Sequence, residues 1–456
     1  MSGLSTHAID SPGPGGFSLR TSAIRTSAAH LPALRPVSRV AMATILDYIM
    51  TAFMIYVFVG GQLLEDRSDE VLAANFAAQG QGDTFRQIYY FSIFIIVGLI
   101  TYRSNLLHKL KYYPLSMTLM TAWCLVSVFG AIDPAISFRR LVLSSIVVYT
   151  TFNLFICVGV QRSLFLLRYT LAFLMCASLV SVFLAHGAVH PPNESDKALV
   201  GAWKGLFFHK NIAASMAVNA IIVFVFSFID RKNIFDALMI VVSLIFLVGT
   251  MGKTASVLLI VSLGMGLFYR FSLGFTQQRL IYVVANVAIF ACLALFVLIF
   301  QDSIAAILSD PDALTGRVAI WDLVFDYVSQ EPVTGAGYGS FWQIGELSPV
   351  NRLTSISWLI HTSHSHNGYL ELLATTGFPG LLFGVLALVI VPFIKFMNLN
   401  SRHRNMKAML YSIWIFALLF NFMETQIFTR DRQIWLMLII VISSLRSLSF
   451  ERAARR

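Results

Sequence analysis

The 456-residue sequence is poor in charged residues. Asp, Glu, Lys and Arg make up 12% of the chain and hydrophobic residues make up 57%, whereas soluble domains carry about a quarter charged residues. So few charges cannot cover that much apolar surface in water, which excludes a water-soluble globular protein. The mean hydropathy of +0.74 indicates instead an all-α polytopic membrane protein, whose spanning units are apolar helices of about 20 residues.

Cysteine is also scarce, and its spacing matches neither a metal motif nor a disulfide framework. All four cysteines lie within apolar runs, so we interpret them as small apolar packing residues. They are Cys124, Cys157, Cys176 and Cys292.

Basic residues outnumber acidic ones, which gives a formal net charge of +10. An excess of Lys and Arg collects in the cytoplasmic loops of membrane proteins, so this charge does not indicate nucleic-acid binding.

Apolar segments of spanning length recur along the chain and predict about twelve transmembrane helices. The segments lie near 40–60, 87–102, 113–131, 141–160, 164–185, 206–229, 234–250, 254–270, 280–300, 369–396, 407–423 and 433–449. This pattern divides the chain into five parts. They are a disordered basic tail (1–39), spans 1–9 (40–300), one long polar loop (301–366), spans 10–12 (367–449) and a short basic tail (450–456).

Alternate connections between the predicted spans differ in charge. If the N-terminal tail is cytoplasmic, Lys and Arg concentrate in every second connection and in the C-terminal tail, whereas the acidic run at 65–70 lies on the opposite side. The positive-inside rule therefore predicts cytoplasmic termini. It places the long loop between spans 9 and 10 on the outer side, which is the periplasm in a bacterium.

The predicted outer loop is the longest polar segment between spans, and loops of this length are often functional. Within it, residues 317–328 have an amphipathic pattern. We expect its apolar side chains to lie along the membrane surface. These side chains are Val318, Trp321, Leu323, Val324 and Phe325.

Several cations lie on the predicted outer side, against the positive-inside pattern. They are Arg139, Arg140, Lys204, Lys210, Lys253 and Arg317, with His209 beside Lys210. A charge near the hydrocarbon is expensive and usually has a partner. A group of such cations would suit a pyrophosphate, whose oxygens accept charge-assisted hydrogen bonds, although snorkelling or pairing with nearby acids is the alternative explanation. For Lys253 and Arg317, which lie beside glycine turns, we favour a functional role.

Three histidines lie within the segment HTSHSHNGYLELLATTGFPG, residues 361–380: His361, His364 and His366. Metal ligands, interfacial loop residues and a catalytic base are three interpretations that the residues leave open. Apart from Glu371 in the following predicted helix, no neighbouring acid or cysteine gives a familiar zinc pattern, so we predict no metal site. Histidine titrates near neutral pH and can accept a proton from a sugar hydroxyl, so we favour a catalytic base.

The same segment resembles the O-antigen ligase and Wzy-type polysaccharide polymerase superfamily. His366-Asn367 followed by Gly377-x-x-Gly380 matches the superfamily signature, and Thr315-Gly316-Arg317 resembles its outer loop. The stretches GLFFHKNIAAS (205–215) and MGKTAS (251–256) are similar to its exopolysaccharide-polymerase branch. By motif, the resemblance covers about residues 200–380.

This resemblance implies a GT-C-like helical fold and a metal-independent glycosyltransferase of the bacterial inner membrane that needs no cofactor. The implied reaction polymerises oligosaccharide repeat units from an undecaprenyl-pyrophosphate-linked donor onto a glycan acceptor. A ligase that transfers glycan to lipid A core or another acceptor is one alternative, and a transporter or flippase of lipid-linked glycan is another. Implied partners are the bilayer and a chain-length regulator or export complex, with no nucleic acid.

The resemblance also assigns roles to residues. His366 is the catalytic base, and Arg317 is the loop arginine. Lys253 stands where many ligases have a second arginine; it keeps the charge but loses the bidentate fork, which favours the polymerase branch. Arg317 and Lys253 would stabilise charge on the departing pyrophosphate. Candidates for substrate binding are Asn367, Arg139, Arg140, His209, Lys210 and His364, while Gly377 and Gly380 would permit close helix approach.

Overall fold

A computed structural model describes residues 36–60, 83–103, 113–192, 197, 199–275, 277, 280–284, 295, 298–302, 306, 313–399, 403–429 and 432–453. Within these residues the regular structure is helical, apart from an isolated bridge between Val189 and Trp203. The prediction of an all-α fold is therefore confirmed for this part of the chain. The tails at 1–35 and 454–456, the acidic run at 65–70 and Cys292 lie outside the described residues.

Fifteen α-helices lie in the described part of the chain. They are α1 (Pro36–Val59), α2 (Thr84–Arg103), α3 (Leu115–Phe129), α4 (Pro134–Val158), α5 (Val160–Leu184), α6 (Lys210–Arg231), α7 (Ile234–Gly249), α8 (Lys253–Ser272), α9 (Ala313–Gln330), α10 (Val350–Leu353), α11 (Ser357–Ile360), α12 (Gly368–Val385), α13 (Val391–Met397), α14 (Arg404–Phe420) and α15 (Gln433–Ala453). A π-helical turn at Leu386–Ile390 joins α12 to α13, and 3₁₀ turns lie at His186–Ala188 and Gly345–Leu347.

Seven helices in the described part of the chain are long and apolar enough to cross a membrane: Ala41–Val59, Thr84–Tyr102, Pro134–Val158, Val160–Leu184, Lys210–Arg231, Lys253–Ser272 and Gly368–Met397. Shorter apolar helices lie at Leu115–Phe129, Ile234–Gly249 and Gln433–Ser449. The chain is thus a multi-pass membrane protein. Eleven of the predicted spans coincide with a described helix, whereas the segment 280–300 falls mostly on residues outside the described part, so the count of twelve stays a prediction.

The bundle surrounds a continuous apolar core in which α6 is central. α6 packs against α5, α7, α8 and α14, which agrees with its apolar composition on all sides. Cys124 and Cys157 are buried in this core, as expected, whereas Cys176 lies on an exposed face of α5 with its Sγ 3.8 Å from Sδ of Met239. A buried ion pair joins α5 to α7, with 2.7 Å between Arg168 Nη2 and Asp236 Oδ1.

The glycines of the superfamily signature shape α12. Gly377 adopts φ +66° and ψ −173°, which interrupts the helix, and a Cβ there would clash with the carbonyl of Val333. A Cβ on Gly380 would clash with Thr376 and press on Trp123 of α3. Both glycines therefore permit close approach, as the sequence predicted, although the neighbour of Gly377 is a loop backbone rather than a helix.

The amphipathic helix of the predicted outer loop is α9, and it packs inward. Val318, Leu323 and Val324 are buried, whereas Phe325 is exposed. The apolar face of α9 meets a small separate core formed by the loop itself and by α12. The expectation that these side chains lie along the membrane surface is therefore wrong for the three buried residues, because the rest of the loop supplies the apolar partner that sequence reasoning assigned to lipid.

Candidate functional site

One end of the bundle gathers four segments that are far apart in sequence. They are the first turn of α6, the first turns of α9, the loop that leads into α12, and the turn that follows α14. Glu424, in the turn after α14, contacts a residue from each of the other three segments. The candidate site is therefore built around a buried carboxylate.

The two carboxylate oxygens of Glu424 have different surroundings. Oε1 accepts hydrogen bonds from Asn211 Nδ2 at 2.7 Å and from Arg317 Nη2 at 3.2 Å. Oε2 lies 3.7 Å from Nδ1 of His366, which is within ion-pair range but beyond a normal hydrogen bond. Because Glu424 is only 8% exposed, these contacts act with little screening by solvent.

The charges at the site are set by burial and by these neighbours. Burial raises the pKa of Glu424, but the contact with His366 and the nearby His364 and Arg317 outweigh it and hold the pKa at about 2. Burial, together with the proximity of His366 and Arg432, lowers the pKa of His364 well below its ordinary value. At neutral pH the site therefore pairs an ionised carboxylate with a neutral His364.

The backbone at His366 is held in an uncommon conformation. Its φ is +50°, a left-handed geometry that costs a non-glycine residue about 1–3 kcal/mol and persists where the surroundings enforce it. The preceding Ser365 is fixed on both sides: its carbonyl accepts from Trp321 Nε1 at 3.1 Å, and its amide donates to Glu371 Oε2 at 3.0 Å. Glu371 also accepts from Trp342 Nε1 at 2.9 Å. The loop and α12 thus aim the imidazole of His366.

Asn367 caps α12. Its Oδ1 accepts from the amides of Tyr369 and Leu370 at 3.0 and 3.2 Å, while Gly368 N donates to the carbonyl of Asn421 at 2.8 Å. The side-chain oxygen thus has a structural role, because an asparagine before a helix satisfies two amides that the helix leaves open. A contact between Asn367 and substrate stays a prediction.

Replacing Asn367 with Ala should destabilise the folded protein by about 0.5–2 kcal/mol, which is the usual cost of losing an N-cap. Asn367→Ser should recover most of that loss because a serine hydroxyl also caps. Thermal unfolding of the purified protein in detergent measures both effects. Equal melting temperatures for the Ala and Ser variants, both below wild type, would contradict the capping role.

Two further predicted residues lie beside the cluster. The rings of His364 and His366 are 4.1 Å apart between centroids, and His364 Nδ1 lies 2.8 Å from Ser363 Oγ. His209 precedes α6, where its Nδ1 accepts from Asn211 N at 3.1 Å, and it is close enough to His364 to lower the pKa of that group. The structure therefore brings His209 and His364 to the site, with Lys210 as the first residue of α6.

Lys253 does not join the cluster. It is the exposed first residue of α8, and its ammonium group forms no hydrogen bond or ion pair with the residues that the structure describes. Its turn is nevertheless near the start of α6, since a Cβ on Gly252 would clash with Ala214. Lys253 thus lies at the same end of the bundle as Asn211, without a contact to Glu424 or its partners.

Arg139 and Arg140 lie within α4 rather than in the connection before it. The helix begins at Pro134, seven residues earlier than predicted, because Asp133 caps it by accepting from Ile136 N at 2.9 Å and proline is favoured in the first turn. The guanidinium of Arg140 donates to loop carbonyls. They belong to Gly339, to Trp342 at 3.0 Å and to Gln343 at 2.9 Å. Arg140 therefore anchors the loop, and its contact with substrate stays a prediction.

Sequence reasoning missed Glu424 and Asn211. Neither lies in the histidine segment, and Glu424 follows an unremarked apolar stretch in the motif NFMETQ. One available signal was the position of Glu424 at the outer end of predicted span 11, the side that carries the unexplained cations. An acid at such a position requires a partner, and Arg317 was a candidate.

The cluster also has the composition of a metal site. Ligand atoms of His364, His366 and Glu424 lie within 4.8 Å of one another, and two imidazoles with a carboxylate are common zinc ligands. However, Glu424 is already occupied by Arg317 and Asn211, and the guanidinium charge opposes a second cation. The donor set fits an ion-paired base better than a metal, and the absence of a metal stays a prediction.

Two comparisons with known proteins bear on this arrangement. Residues 220–385 match the model of a protein family described as O-Antigen ligase. The exopolysaccharide production protein ExoQ of Rhizobium meliloti (strain 1021) is 26% identical over 159 residues, which cover 34% of this chain and 36% of that protein. The family match includes Arg317 and His366, whereas Asn211 and Glu424 lie outside it.

Proposed function

We propose, from the premise that this chain belongs to the O-antigen ligase and ExoQ-like family, that it is a membrane glycosyltransferase. It polymerises oligosaccharide repeat units carried on undecaprenyl pyrophosphate into exopolysaccharide at the periplasmic face of the inner membrane. The observation that carries the proposal is the convergence of His366 and Arg317 on the buried Glu424. The two residues are 49 positions apart in sequence (366 − 317), yet they share one carboxylate.

His366 acts as the general base. Its Nδ1 faces Glu424, so Nε2 is the nitrogen left to accept the proton of the acceptor hydroxyl. The hydroxyl oxygen attacks the anomeric carbon of the donor sugar, and a new glycosidic bond forms. The bond from that carbon to the pyrophosphate oxygen breaks and its electron pair leaves with undecaprenyl pyrophosphate, while the proton stays on His366. The left-handed backbone at His366 fixes this orientation before substrate arrives.

Arg317 stabilises the leaving group. A guanidinium aimed at the site where negative charge develops lowers the barrier for phosphate departure, and Arg317 is half-buried at the start of α9 beside His366. Lys253, at the same end of the bundle, supplies a second cation for the outer phosphate. His209, Lys210 and His364 line the approach and bind the lipid-linked glycan, with Arg139 as a more distant contact.

The two alternatives make different uses of this site. The description of the matching family favours a ligase, which would use the same base and the same donor but a different acceptor. A transporter or flippase of lipid-linked glycan would bind the pyrophosphate without needing a base. A base poised beside the phosphate-binding arginine supports transfer over transport, and the name of the matched relative supports exopolysaccharide synthesis over ligation.

The proposed function is tested by reconstitution. Purified protein in proteoliposomes, given a lipid-linked repeat unit, should produce a ladder of longer lipid-linked glycans. No nucleotide sugar or cofactor should be needed. Pre-treatment with EDTA should leave the rate unchanged, because neither base catalysis by His366 nor charge stabilisation by Arg317 requires a metal.

The three candidate functions give distinguishable products in that assay. A ligase leaves the donor at its original length and extends only an added acceptor, and a transporter moves donor across the bilayer without extending it; either result rejects polymerisation. Loss of activity with EDTA that added zinc restores would make His364, His366 and Glu424 a metal centre and reject metal independence. In cells, loss of a polymerase leaves single repeat units, whereas loss of a ligase leaves long lipid-linked chains.

A further inference from the structure

The two carboxylate oxygens of Glu424 differ in how many hydrogen bonds they accept. Oε1 already holds both Asn211 and Arg317, whereas Oε2 faces His366 across 3.7 Å. Two buried nitrogens that border the carboxylate, Nδ1 of His366 and Nε of Arg317, have no hydrogen-bond partner among the described residues. Buried donors of this kind are rare and call for an explanation.

We propose that Glu424 is a positioning residue that changes partners when the donor binds. Arg317 transfers from Oε1 of Glu424 to the pyrophosphate of the donor, and the released carboxylate closes onto Nδ1 of His366. The inference rests on the proposed function, because it requires a pyrophosphate donor and a basic His366. It adds that donor binding brings Glu424 into hydrogen-bond contact with His366 and so makes His366 a stronger base.

The energetics favour this exchange. Pyrophosphate carries more charge than a carboxylate and accepts a bidentate pair from a guanidinium, so it competes well for Arg317 and also offers an acceptor to the unpaired Nε. Closing the gap to His366 requires a movement of about 1 Å to reach normal charge-assisted hydrogen-bond length. Asn211 holds Oε1 throughout and acts as a pivot.

The consequence for the base follows from charge. While Arg317 is paired with Glu424, its positive charge offsets the carboxylate, and the imidazole lacks a hydrogen bond at Nδ1. After the exchange, the carboxylate orients the ring through Nδ1 and stabilises the imidazolium that forms during transfer, as the acid does in catalytic triads. A site without donor therefore has a weak base, which limits unproductive reaction of the acceptor.

The groups around His366 determine how pH enters the test. His364 lies in the same loop, Arg317 comes from α9, His209 precedes α6 and Arg432 precedes α15. These are cationic or neutral, and Glu424 is the anion in contact with the ring. Removing its charge destabilises the protonated imidazole, so activity should persist to lower pH even as its maximum falls.

The experiment compares Glu424→Gln with wild type in the reconstituted assay. An amide oxygen at position 424 can still accept from Asn211 and Arg317, but it carries no charge. We expect kcat to fall by about 10²-fold or more, in line with the loss of an orienting carboxylate. The KM for the donor should stay equal or decrease, because Arg317 no longer has to leave an anion. The acid limb of the kcat–pH profile should move to lower pH.

Two variants keep the test decisive. Glu424→Asp retains the charge and should recover part of kcat with the wild-type acid limb, which also covers the case in which the Gln variant does not fold. Glu371→Gln removes the charge of another carboxylate of this region, the half-buried one that accepts from Ser365 and Trp342. It should lower thermal stability without moving the acid limb.

The outcomes separate the inference from the proposed function. If Glu424→Gln keeps the wild-type kcat and pH profile while His366→Ala is inactive, the partner exchange is wrong and the proposed base stands. If Glu424→Gln raises the donor KM with an unchanged kcat, Glu424 only assists binding and the inference fails. If His366→Ala is fully active, the proposed catalytic site fails first.

Discussion

Replacing His366 with Ala should lower the polymerisation rate by about 10²–10⁴-fold, the range that general acid–base catalysis contributes. The expected loss is in kcat, because in the proposed mechanism the imidazole accepts a proton during bond formation and makes little contribution to donor binding. The measurement is the initial rate of glycan extension in proteoliposomes at matched protein amounts.

The same segment supplies a matched control for that variant. His361 is exposed, five residues upstream, and His361→Ala should keep near-wild-type activity. His366→Asn is a second useful variant, since asparagine tolerates a left-handed backbone better than alanine does, so it removes the base with less change in the loop. Full activity in either His366 variant would exclude this residue as the base.

Arg317 should show the second large effect. Arg317→Ala is expected to reduce kcat by about 10²–10³-fold, which is typical when one charge-stabilising group is lost from a transition state, and to raise the donor KM as well. Arg317→Lys should recover only part of the activity because an ammonium lacks the bidentate fork. Rates across a range of donor concentrations separate the two parameters.

A control for charge alone is available in the same loop. Arg352 is exposed in α10, and Arg352→Ala should leave kcat and the donor KM close to wild type. Because Arg317→Ala also removes one hydrogen bond from the buried Glu424, its thermal stability must be measured beside its activity. Equal losses for the Arg317 and Arg352 variants would point to a general effect of loop charge rather than a leaving-group contact.

Much of the fold was predictable because membrane-spanning helices can be recognised from their apolar composition. Eleven predicted spans coincide with described helices, since each must satisfy its backbone internally and present apolar side chains to lipid. The start of α4 was misplaced because the cap at Asp133 and the proline after it outweigh the polar side chains that follow. A hydropathy pattern registers the polar residues of the first turns and therefore starts the helix too late, because it contains no information about the N-cap.

The candidate site was only half predictable. His366 and Arg317 lie in recognisable segments, and the structure brings both to Glu424. Glu424 itself gives no local signal, because its role depends on how the turn after α14 meets Asn211 of α6 and Arg317 of α9. Asn367 and Arg140 were predicted as substrate contacts, yet their polar atoms bond the protein's own backbone. A sequence motif shows which residues are present, but it does not show which hydrogen-bond partner each side chain has in the folded protein.

The break at Gly377 has a consequence for how the protein responds to its bilayer. The part of α12 before the break is tied to the predicted outer loop, since Ala336 N donates to Ala374 O at 2.9 Å. The break itself is held against the same loop, because Phe378 N, the next residue after Gly377, donates to Pro332 O at 2.9 Å. The part after it continues towards the opposite face. Membrane-spanning helices tilt to match bilayer thickness, and an interrupted helix transmits little of that tilt past the break. We therefore expect the acyl-chain length of the lipid to change the tilt of the part of α12 after Gly377. The part before Gly377, which follows His366 in sequence, should keep its orientation relative to the loop.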